Sequence, residues 1–497
     1  MTADSPEPSP PQYGMSPARR RVVLVAVMAG MFMAAVESTI VATALPSIVG
    51  DLGGFHLFSW VFGAYLLTQA VTAPIYGRLA DLYGRKRVFG AGALLFLISS
   101  AACGFAWNMP SLISFRALQG LGAGAIIPIA MTIVADIYPS GTRGRVQGYL
   151  SGIWGVSAVI GPLLGAFLVE HLTWSAVFWI NIPLGILSVV LFEVALQEEP
   201  PPRQHTIDYR GALLLMVGSG TFMLALIQWP QLGNGARGLL LVVAAAALTA
   251  LAFSERRSPE PMLPPYLWRD RIVAICNLGA FAIGGAMMGV TAFLPTYVQG
   301  VMGRSALVAG FALTTMSFGW SLISIVTGRL LAQFSFRIMA AAGGLSLVVG
   351  SVILILLGPD NGPLRAAAGA LFIGIGLGLC NTTYIVAIQD ITAWHRRGTA
   401  ISVNSFLRSL GQSLATALFG GILNSALAAR VVGNASAVDR LMDPTLRQGV
   451  DAAEHASLVA ALAAGLHDVY LAVGAIAVVA FALALCLPKG LNLTRKG

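Results

Sequence analysis

The sequence predicts an all-α integral membrane protein with fourteen transmembrane helices, built as two six-helix halves plus two inserted helices. Three observations carry this prediction. Hydrophobic residues make up 57% of the 497 positions and charged residues only 10%, which is a membrane composition. Apolar runs long enough to cross a bilayer recur along the chain. Motifs of the first part also return in the second part at a constant spacing, as expected of an internal repeat.

Each predicted span is an apolar run bounded by polar or charged residues. The fourteen runs lie at approximately residues 22–48, 57–77, 88–107, 111–135, 146–169, 175–197, 211–229, 238–254, 273–298, 306–328, 338–357, 366–389, 398–424 and 468–487. An even number of spans places both termini on the same side of the membrane. The loops on that side carry 22 Lys and Arg residues and the loops on the other side carry 6, so the positive-inside rule predicts cytoplasmic termini.

The repeat divides the chain into two halves. GRLADLYGRK (77–86) returns as GRLLAQFSFR (328–337), and QGLGAG (119–124) returns as IGIGLG (373–378) at an offset of 254 that Asp136 and Asp390 share. Two parallel repeats around a site near the membrane midplane are typical of secondary transporters. We therefore predict a disordered cytoplasmic tail (1–20), an N-terminal half (21–197), a linker with two extra helices (198–260), a C-terminal half (261–488) and a second cytoplasmic tail (489–497). Within the C-terminal half, an extracellular loop at about 425–467 is expected to form a short helical cap or a disordered loop.

Several function classes are disfavoured by what the sequence lacks. The four cysteines lie in apolar runs without metal-ligand spacing, so neither a disulfide framework nor a metal site is expected. The net charge of +9 is spread between apolar runs, which topology explains better than nucleic-acid binding. No GxxxxGK[ST] motif, catalytic constellation or large soluble module is visible, which argues against ATP drive, an enzyme or a receptor. The expected partners are the lipid bilayer and a small-molecule substrate.

Glu37 is the first candidate functional residue, because it lies deep in the first apolar run. It is about 24 Å along a helix from Arg21, within a hydrocarbon core about 30 Å thick. An ionised carboxylate at that depth is costly unless it is paired, hydrated or protonated. Glu193, the other acid inside a predicted span, lies near a cytoplasmic end. Glu37 is therefore a candidate proton carrier, the alternative being a fixed ion pair that holds helices together.

Arg116 is the candidate partner of Glu37. It lies under about 10 Å from the outer end of the fourth predicted span, in the same outer half of the membrane as Glu37. The sequence thus predicts that Arg116 can poise the Glu37 carboxylate electrostatically. The alternative is an arginine that snorkels to the membrane interface.

Several motifs of the chain, including the repeated GRLADLYGRK and QGLGAG, resemble those of the major facilitator superfamily, and within it those of the fourteen-helix drug/proton antiporters. VESTIVATALP (36–46) is similar to the first-helix signature, with Val-Glu in place of Leu-Asp. GRLADLYGRKR is similar to the signature between helices two and three, and ISFRALQGLGAG to that of helix four around Arg116. GPLLGAF (161–167) resembles the helix-five antiporter signature, although Ala166 replaces its last glycine, and WSAVFWINIPLG (174–185) also fits the subgroup.

The resemblance implies roles for two sets of residues. A charge relay that latches the cytoplasmic gate would consist of Gly77, Asp81, Arg85, Asp136 and Arg145. The second repeat has Ala332 where the first has Asp81, so this latch should be asymmetric. The antiporter-signature helix carries Gly152, Gly155, Gly161, Pro162 and Gly165. These residues either bring helices close together or kink the helix in a way that serves antiport.

Polar and aromatic residues in the middle of spans are candidates for lining a substrate cavity, although amides also join helices. They are Tyr65, Gln69, Trp154, Asn181, Asn277, Asn381, Tyr384, Asn404, Arg408 and Gln412. Arg408 lies about 15 Å into its span, and the C-terminal half has no mid-span acid to balance it. This favours neutral, amphipathic or acidic substrates over polycationic ones.

The sequence analysis therefore predicts a multi-pass protein of the cell membrane that works as a monomer, with protons as the coupling ion and no cofactor. Its expected function is proton-coupled export of small hydrophobic or amphipathic compounds by alternating access. Export follows from the resemblance more than from any residue. The alternatives are a proton symporter that takes up a metabolite and an exporter of lipid-like molecules.

Overall fold

The computed structural model contains helices and no β-strand in the part of the chain that it describes. The described residues are 16–138, 140–196, 208–258, 261, 264–331, 333–359, 362–392, 394–430 and 452–488. Within these ranges, side chains are not described at positions 78, 81, 135–136, 140–149, 151–152, 154–155, 158, 394–398 and 452.

The helices follow one another with short connections. The N-terminal half contains α1 (Pro17–Leu52), a 3₁₀ turn (Phe55–Leu57), α2 (Phe58–Tyr83), α3 (Arg85–Gly104), α4 (Met109–Ile137), α5 (Ser140–His171), α6 (Ala176–Trp179) and α7 (Asn181–Ala195). The two inserted helices are α8 (Tyr209–Ile227) and α9 (Asn234–Arg257). The C-terminal half contains α10 (Pro265–Arg269), α11 (Arg271–Thr296) with a π-helical turn (Tyr297–Val301), α12 (Ala306–Leu330), α13 (Phe336–Ile355), α14 (Pro363–Ile391), α15 (Trp394–Arg430) and α16 (Ala452–Leu485).

Local sequence explains how some of these helices begin and end. Asn108 and Ser111 form a reciprocal capping box at the start of α4, which satisfies free N–H groups of its first turn. Gly84 adopts a φ of 90° between α2 and α3, a conformation that glycine reaches without steric cost. A single residue therefore reverses the chain between these two helices.

Twelve helical segments in the described part of the chain are long and apolar enough to cross a membrane, which makes the protein a multi-pass membrane protein. The long helices α5 and α15 overlap the predicted spans 146–169 and 398–424 but are not among the twelve. The apolar part of α5 in the described region, Val159–His171, is shorter than a span, and α15 carries Arg408 and several polar side chains.

Two predicted boundaries differ from the structure. The sixth predicted span is interrupted at Ile180, between α6 and α7. The loop expected at about 425–467 is shorter, because α15 continues to Arg430 and α16 begins at Ala452, while residues 431–451 lie outside the described part. The alanine-rich segment before position 468 has a high helix propensity, so α16 begins before its apolar core does.

The two halves meet along two seams. Helices α2 and α15 pack together on one side of the molecule, and α5 and α12 pack together on the other. Helices α1 and α11 contact each other between these seams. We call the end of the bundle that carries Arg19, Arg85 and Lys86 the basic end, and the end that carries Leu52 and His171 the far end.

The inserted helix α8 covers the seam between α2 and α15. Asn424 of α15 donates to His56 O, 2.7 Å away, and to Ile227 O at the end of α8, 3.0 Å away. Ser413 of α15 contacts both Gly63 O, at 3.1 Å, and Met223 Sδ of α8, at 3.3 Å. Helix α9 packs against α8. The insertion thus adds a lipid-side layer at one seam.

Candidate functional site

Glu37 of α1 and Arg116 of α4 form an ion pair inside the N-terminal half. Both side chains are buried, with 0% and 1% of their surface exposed. Arg116 Nη1 donates to Glu37 Oε1 and also to Gln119 Oε1, 2.6 Å away. Its Nε donates to Val61 O at 3.1 Å, and its guanidinium carbon lies 4.1 Å from the centre of the Tyr65 ring. The arginine is therefore held by groups from α1, α2 and α4.

The second oxygen of the Glu37 carboxylate is also bonded. Asn181 Nδ2, at the start of α7, donates to Glu37 Oε2 at 2.5 Å and to Ser100 Oγ at 3.1 Å. Gln119 Nε2 donates to the same Ser100 oxygen at 3.0 Å, and Ser100 donates to Phe178 O at 2.8 Å. A closed polar network joins α1, α3, α4 and α7 around the carboxylate. Such a set of partners is what a buried ion pair needs to offset its desolvation.

The network determines what Glu37 can do in this conformation. The carboxylate is paired, hydrogen-bonded through both oxygens and out of contact with solvent. Its exposed fraction is 0%, so the carboxylate has no contact with bulk solvent in this conformation.

Two antiporter-signature residues of α5, Gly161 and Gly165, pack against α1. A Cβ atom at Gly161 would lie 3.4 Å from Val36 O, and one at Gly165 would lie 2.6 Å from Ile40 O, so both glycines allow α5 to approach α1 closely. On the other side of α5, Pro162 O and Ala166 pack against Gly310 of α12. Helix α5 continues through Pro162 without interruption. Gly152 and Gly155 belong to the positions whose side chains are not described.

The corresponding place in the C-terminal half carries no charged pair. The register of the Leu-Pro dipeptides aligns Glu37 with Ala286, and the offset of 254 aligns Arg116 with Ala370, and both alanines are buried. A pair of hydrogen-bonded amides lies elsewhere in this half. Asn404 Nδ2 of α15 donates to Asn277 Oδ1 and Cys276 O of α11, both 3.1 Å away. These amides therefore join two helices of the same half.

Arg408 is half-buried in the middle of α15. No hydrogen bond or ion pair joins its side chain to another residue in the described part of the chain. Gly284 of α11 lies against the Arg408 backbone, so this stretch of α15 approaches α11 closely. Gln412, one turn further along, points its amide toward Met287 Sδ of α11, 3.1 Å away.

The far end of the molecule is closed between the halves. Phe293 of α11 makes edge-to-face contacts with Phe58 of α2, at 5.1 Å between ring centres, and with Phe419 of α15, at 5.8 Å. Five hydrogen bonds that join described residues of the two halves also lie toward this end: Gln299 to Thr43 O, Leu307 N to Glu170, Thr314 to Val159 O, Ser413 to Gly63 O and Asn424 to His56 O.

Two glycines at the basic end have free space beside them. Gly77 near the end of α2 and its repeat Gly328 near the end of α12 both face space, since an added Cβ atom at either would meet no atom within 4 Å. A methyl group at either position would therefore not clash with a described residue.

The remaining predicted gate and cavity residues are distributed as follows. Arg85 begins α3 at the basic end, whereas the side chains of Asp81, Asp136, Arg145 and Trp154 lie outside the described part, so the charge relay stays a prediction. Tyr384 is buried and packs over Gly279 within the C-terminal half. The half-buried residues Gln69 and Asn381 make no hydrogen bond to another described side chain. Tyr65 and Asn181 are buried and contact the ion pair.

Sequence reasoning missed several residues of the site. Gln119 lies three residues after Arg116, a spacing that puts both on the same helix face, and this signal was available. Ser100 carried no signal, because a lone serine in an apolar helix usually bonds its own backbone. The far-end aromatic contacts and Glu170 were also missed, because they depend on the approach of helices from different halves.

Comparisons with known proteins agree with this architecture. The family model of the Major Facilitator Superfamily matches residues 27–416. The chain is 37% identical over 412 residues to Multidrug resistance protein 3 of Bacillus subtilis, which covers 82% of this chain and 80% of that protein. It is 34% identical over 416 residues to the Multidrug transporter protein MdtP of the same organism, covering 82% and 76%. To the Multidrug efflux pump SdrM of Staphylococcus aureus it is 29% identical over 402 residues, covering 80% and 89%.

A solved structure shares the fold. The crystal structure of a bacterial homolog to the human lysosomal transporter Spinster, in an inward-facing and unoccupied conformation, matches with a TM-score of 0.68. The match covers 95% of this chain and 97% of that chain at 17% sequence identity. The family model, the relatives and the helical architecture lead to one conclusion: this chain belongs to the major facilitator superfamily and is a membrane transporter.

Proposed function

We propose that this protein is a proton-driven exporter of small hydrophobic or amphipathic compounds, including drugs and antibiotics. The observation that carries the proposal is the Glu37–Arg116 pair, a buried carboxylate held by Arg116 of α4 and Asn181 of α7. Membrane-embedded ionisable residues with named partners are typical of proton pathways. The printed names of the relatives, which include multidrug resistance and efflux proteins, support the direction of transport and the substrate class.

The proposed topology has fourteen spans, with α5 and α15 added to the twelve apolar segments, and both termini in the cytoplasm of a cell-membrane protein. The excess of Lys and Arg on one side supports it. The basic end is then cytoplasmic, and the structure is an inward-open state. Reporter fusions at either terminus should be active only in the cytoplasm, and an active periplasmic or extracellular fusion would contradict this topology.

The proposed cycle follows from the network. In the inward-open state Glu37 is ionised and paired with Arg116, so the proton has already left toward the cytoplasm and the cavity is ready for substrate. Rocking of the halves then opens the far end, where a proton from outside neutralises Glu37 and weakens its bond to Arg116. The protein works as a monomer without a cofactor, and the proton is the coupling ion. The antiporter-signature glycines, packed against α1 beside Glu37, connect α12 to this helix.

The test is transport by the full chain reconstituted in proteoliposomes with an imposed pH gradient, using ethidium as a fluorescent probe. Wild type should move ethidium against its gradient as protons flow the other way. Glu37→Gln should still equilibrate the probe but lose accumulation driven by the gradient, whereas Glu37→Asp, which keeps the carboxylate, should retain part of it. Gradient-driven accumulation in Glu37→Gln would refute the role of Glu37, and movement of substrate with the protons would indicate a symporter.

A further inference from the structure

We propose that the Asn181 side chain holds Glu37 in both of its protonation states: the amide nitrogen donates to the ionised carboxylate, and the amide oxygen accepts from the O–H group of the protonated acid. Asn181 is then a positioning residue for proton exchange, a role that rests on the proposed function of Glu37 and goes beyond it. Three observations carry the inference: the bond from Asn181 to Glu37, the burial of both side chains, and an amide oxygen without a donor among the described residues.

The orientation of the Asn181 amide follows from the two acceptors beside it. Its Nδ2 lies 2.5 Å from Glu37 Oε2 and 3.1 Å from Ser100 Oγ. The Ser100 hydroxyl already donates its proton to Phe178 O, 2.8 Å away, so the serine oxygen acts as an acceptor here. A nitrogen that carries two protons fits between two acceptors, and an amide oxygen does not. This orientation therefore suits the ionised carboxylate.

The other end of the same amide is unused. Asn181 is fully buried, and its Oδ1 accepts no hydrogen bond from a described residue. A buried acceptor without a donor is unfavourable and calls for an explanation. The second amide of the network differs in this respect, because Gln119 Oε1 accepts from Arg116 Nη1 at 2.6 Å. Asn181 Oδ1 is thus the amide oxygen of the network that is free to receive a new donor.

Protonation of Glu37 creates that donor. A neutral carboxylic acid carries one O–H group, which needs an acceptor when it is buried. The acid and a primary amide are complementary, because each presents a donor and an acceptor side by side. A rotation of the carboxyl group lets its O–H donate to Asn181 Oδ1 while Nδ2 still donates to the other carboxyl oxygen. One side chain then holds the protonated acid through two hydrogen bonds.

Arg116 keeps partners of its own when Glu37 is neutral. Its Nη1 remains bonded to Gln119 Oε1, its Nε remains bonded to Val61 O at 3.1 Å, and its guanidinium stays over the Tyr65 ring. All of these groups belong to the N-terminal half, so rocking of the two halves leaves them together. The two protonation states therefore differ by a local rearrangement of Glu37 and Arg116.

Few other charged or titratable groups surround Glu37 in the described part of the chain. Tyr65 of α2 lies against the Arg116 guanidinium, and Cys103 Sγ of α3 is 3.7 Å from Gln119 Oε1. Helices α5, α6, α7, α11 and α12 also pack against α1. The charged side chains described on these five helices lie near helix ends, at Glu170, His171, Glu193, Arg271 and Arg329. Arg116 and the Asn181 amide are thus the groups that distinguish the two protonation states.

The experiment records infrared difference spectra between low and high pH on the purified full chain, with asparagine labelled at its side-chain carbonyl. Protonation of Glu37 should move one labelled C=O band to lower frequency, because the new hydrogen bond to Oδ1 weakens that C=O bond. The shift should be lost in Glu37→Gln. It should also be lost in Asn181→Gln, which keeps an amide but removes the label. Asn404→Gln, the matched control for a buried asparagine of the other half, should retain the shift.

Absence of the shift in wild type, a shift to higher frequency, or a shift that persists in Glu37→Gln or Asn181→Gln would overturn the proposal. The same holds if no protonated carboxyl band of wild type disappears in Glu37→Gln, since Glu37 would then never be protonated. The measurement uses neither substrate nor a gradient. If the shift is found but Glu37→Gln still accumulates ethidium with the gradient, the proposed function fails and the role of Asn181 remains.

Discussion

The two halves of the transporter use the same helical framework but hold their central polar groups differently. In the N-terminal half, Glu37 and Arg116 saturate each other within a closed network. At the aligned positions of the C-terminal half are Ala286 and Ala370, and the arginine of that half, Arg408, has no acid beside it among the described residues. One half therefore holds a complete ion pair and the other an uncompensated cation.

The difference teaches how a repeated fold can divide two tasks. The Glu37–Arg116 pair is buried and both carboxylate oxygens are bonded, so a proton is the group that it exchanges in the proposed cycle. The Arg408 guanidinium has no hydrogen bond or ion pair among the described residues. Close helix packing occurs in both halves, because Gly165 of α5 faces the backbone of α1 and Gly284 of α11 faces the backbone of α15. The Glu37–Arg116 charge pair, in contrast, is not repeated in the C-terminal half. The following predictions test this contrast between the halves.

The largest expected effect concerns the two membrane arginines. Arg116→Ala leaves the Glu37 carboxylate buried without its cation, so it should lower the free energy of unfolding by about 3–5 kcal/mol. Arg408→Ala removes a cation that has no described partner and should change stability by no more than about 1 kcal/mol. Unfolding in detergent with increasing SDS, followed by circular dichroism, measures both. The double variant Glu37→Gln/Arg116→Ala should recover part of the lost free energy of unfolding. Equal losses of this free energy in Arg116→Ala and Arg408→Ala would contradict the difference between the two halves.

The second prediction compares the two asparagines. Asn181→Ala removes a hydrogen bond to an ionised carboxylate and should cost about 1.5–3 kcal/mol, whereas Asn404→Ala removes bonds to neutral acceptors and should cost about 0.5–1.5 kcal/mol. The same unfolding assay measures the difference. A larger loss for Asn404→Ala would mean that the C-terminal amides carry more of the stability than their neutral partners indicate.

The third prediction compares two glycines, one in each half. A side chain at Gly284 would meet the backbone of Arg408, so Gly284→Ala should destabilise the protein by about 1–3 kcal/mol. Gly77 faces open space at the basic end, so Gly77→Ala should stabilise this conformation by up to about 1 kcal/mol through helix propensity. Thermal unfolding in detergent should show shifts of opposite sign, and Gly328→Ala is the control with the same open surroundings. Destabilisation by both Gly77→Ala and Gly328→Ala would show that the basic end is closed.

The smallest effect concerns the closure at the far end. Glu170 accepts a hydrogen bond from Leu307 N, 3.0 Å away, at the start of α12 in the other half. Removing its charge in Glu170→Gln weakens an exposed helix-terminus interaction worth about 0.3–1 kcal/mol, so the far end should open about two- to fivefold more often. The labelling rate of a single cysteine at Ala166, in a background without other cysteines, reports this opening. Glu193→Gln is the control, because it removes an acid that pairs with Lys86 within one half. An equal rise of the cysteine labelling rate in Glu193→Gln would contradict the role of Glu170.

Sequence reasoning was most informative where a property is local. The helices coincide with the apolar runs at most positions, because lipid requires backbone groups to be satisfied within each helix. The depth of Glu37 and Arg116 followed from helical rise alone, and the two side chains do contact each other. Helix α16 begins before the predicted span 468–487, because the alanine-rich sequence forms helix beyond the apolar core of that span. The roles of Asp81, Asp136 and Arg145 stay predictions.

By itself, the sequence determined the class of the protein, its two-half repeat and the identity of the lone mid-membrane carboxylate, because composition, periodicity and the position of a charge along a helix are properties of the chain alone. Only the tertiary structure decided that Asn181, Gln119 and Ser100 complete the Glu37 site and that α8 covers the seam at Ser413 and Asn424. These features depend on how helices far apart in sequence rotate and approach each other. That arrangement is set by packing across the whole bundle, where each helix face has several possible neighbours.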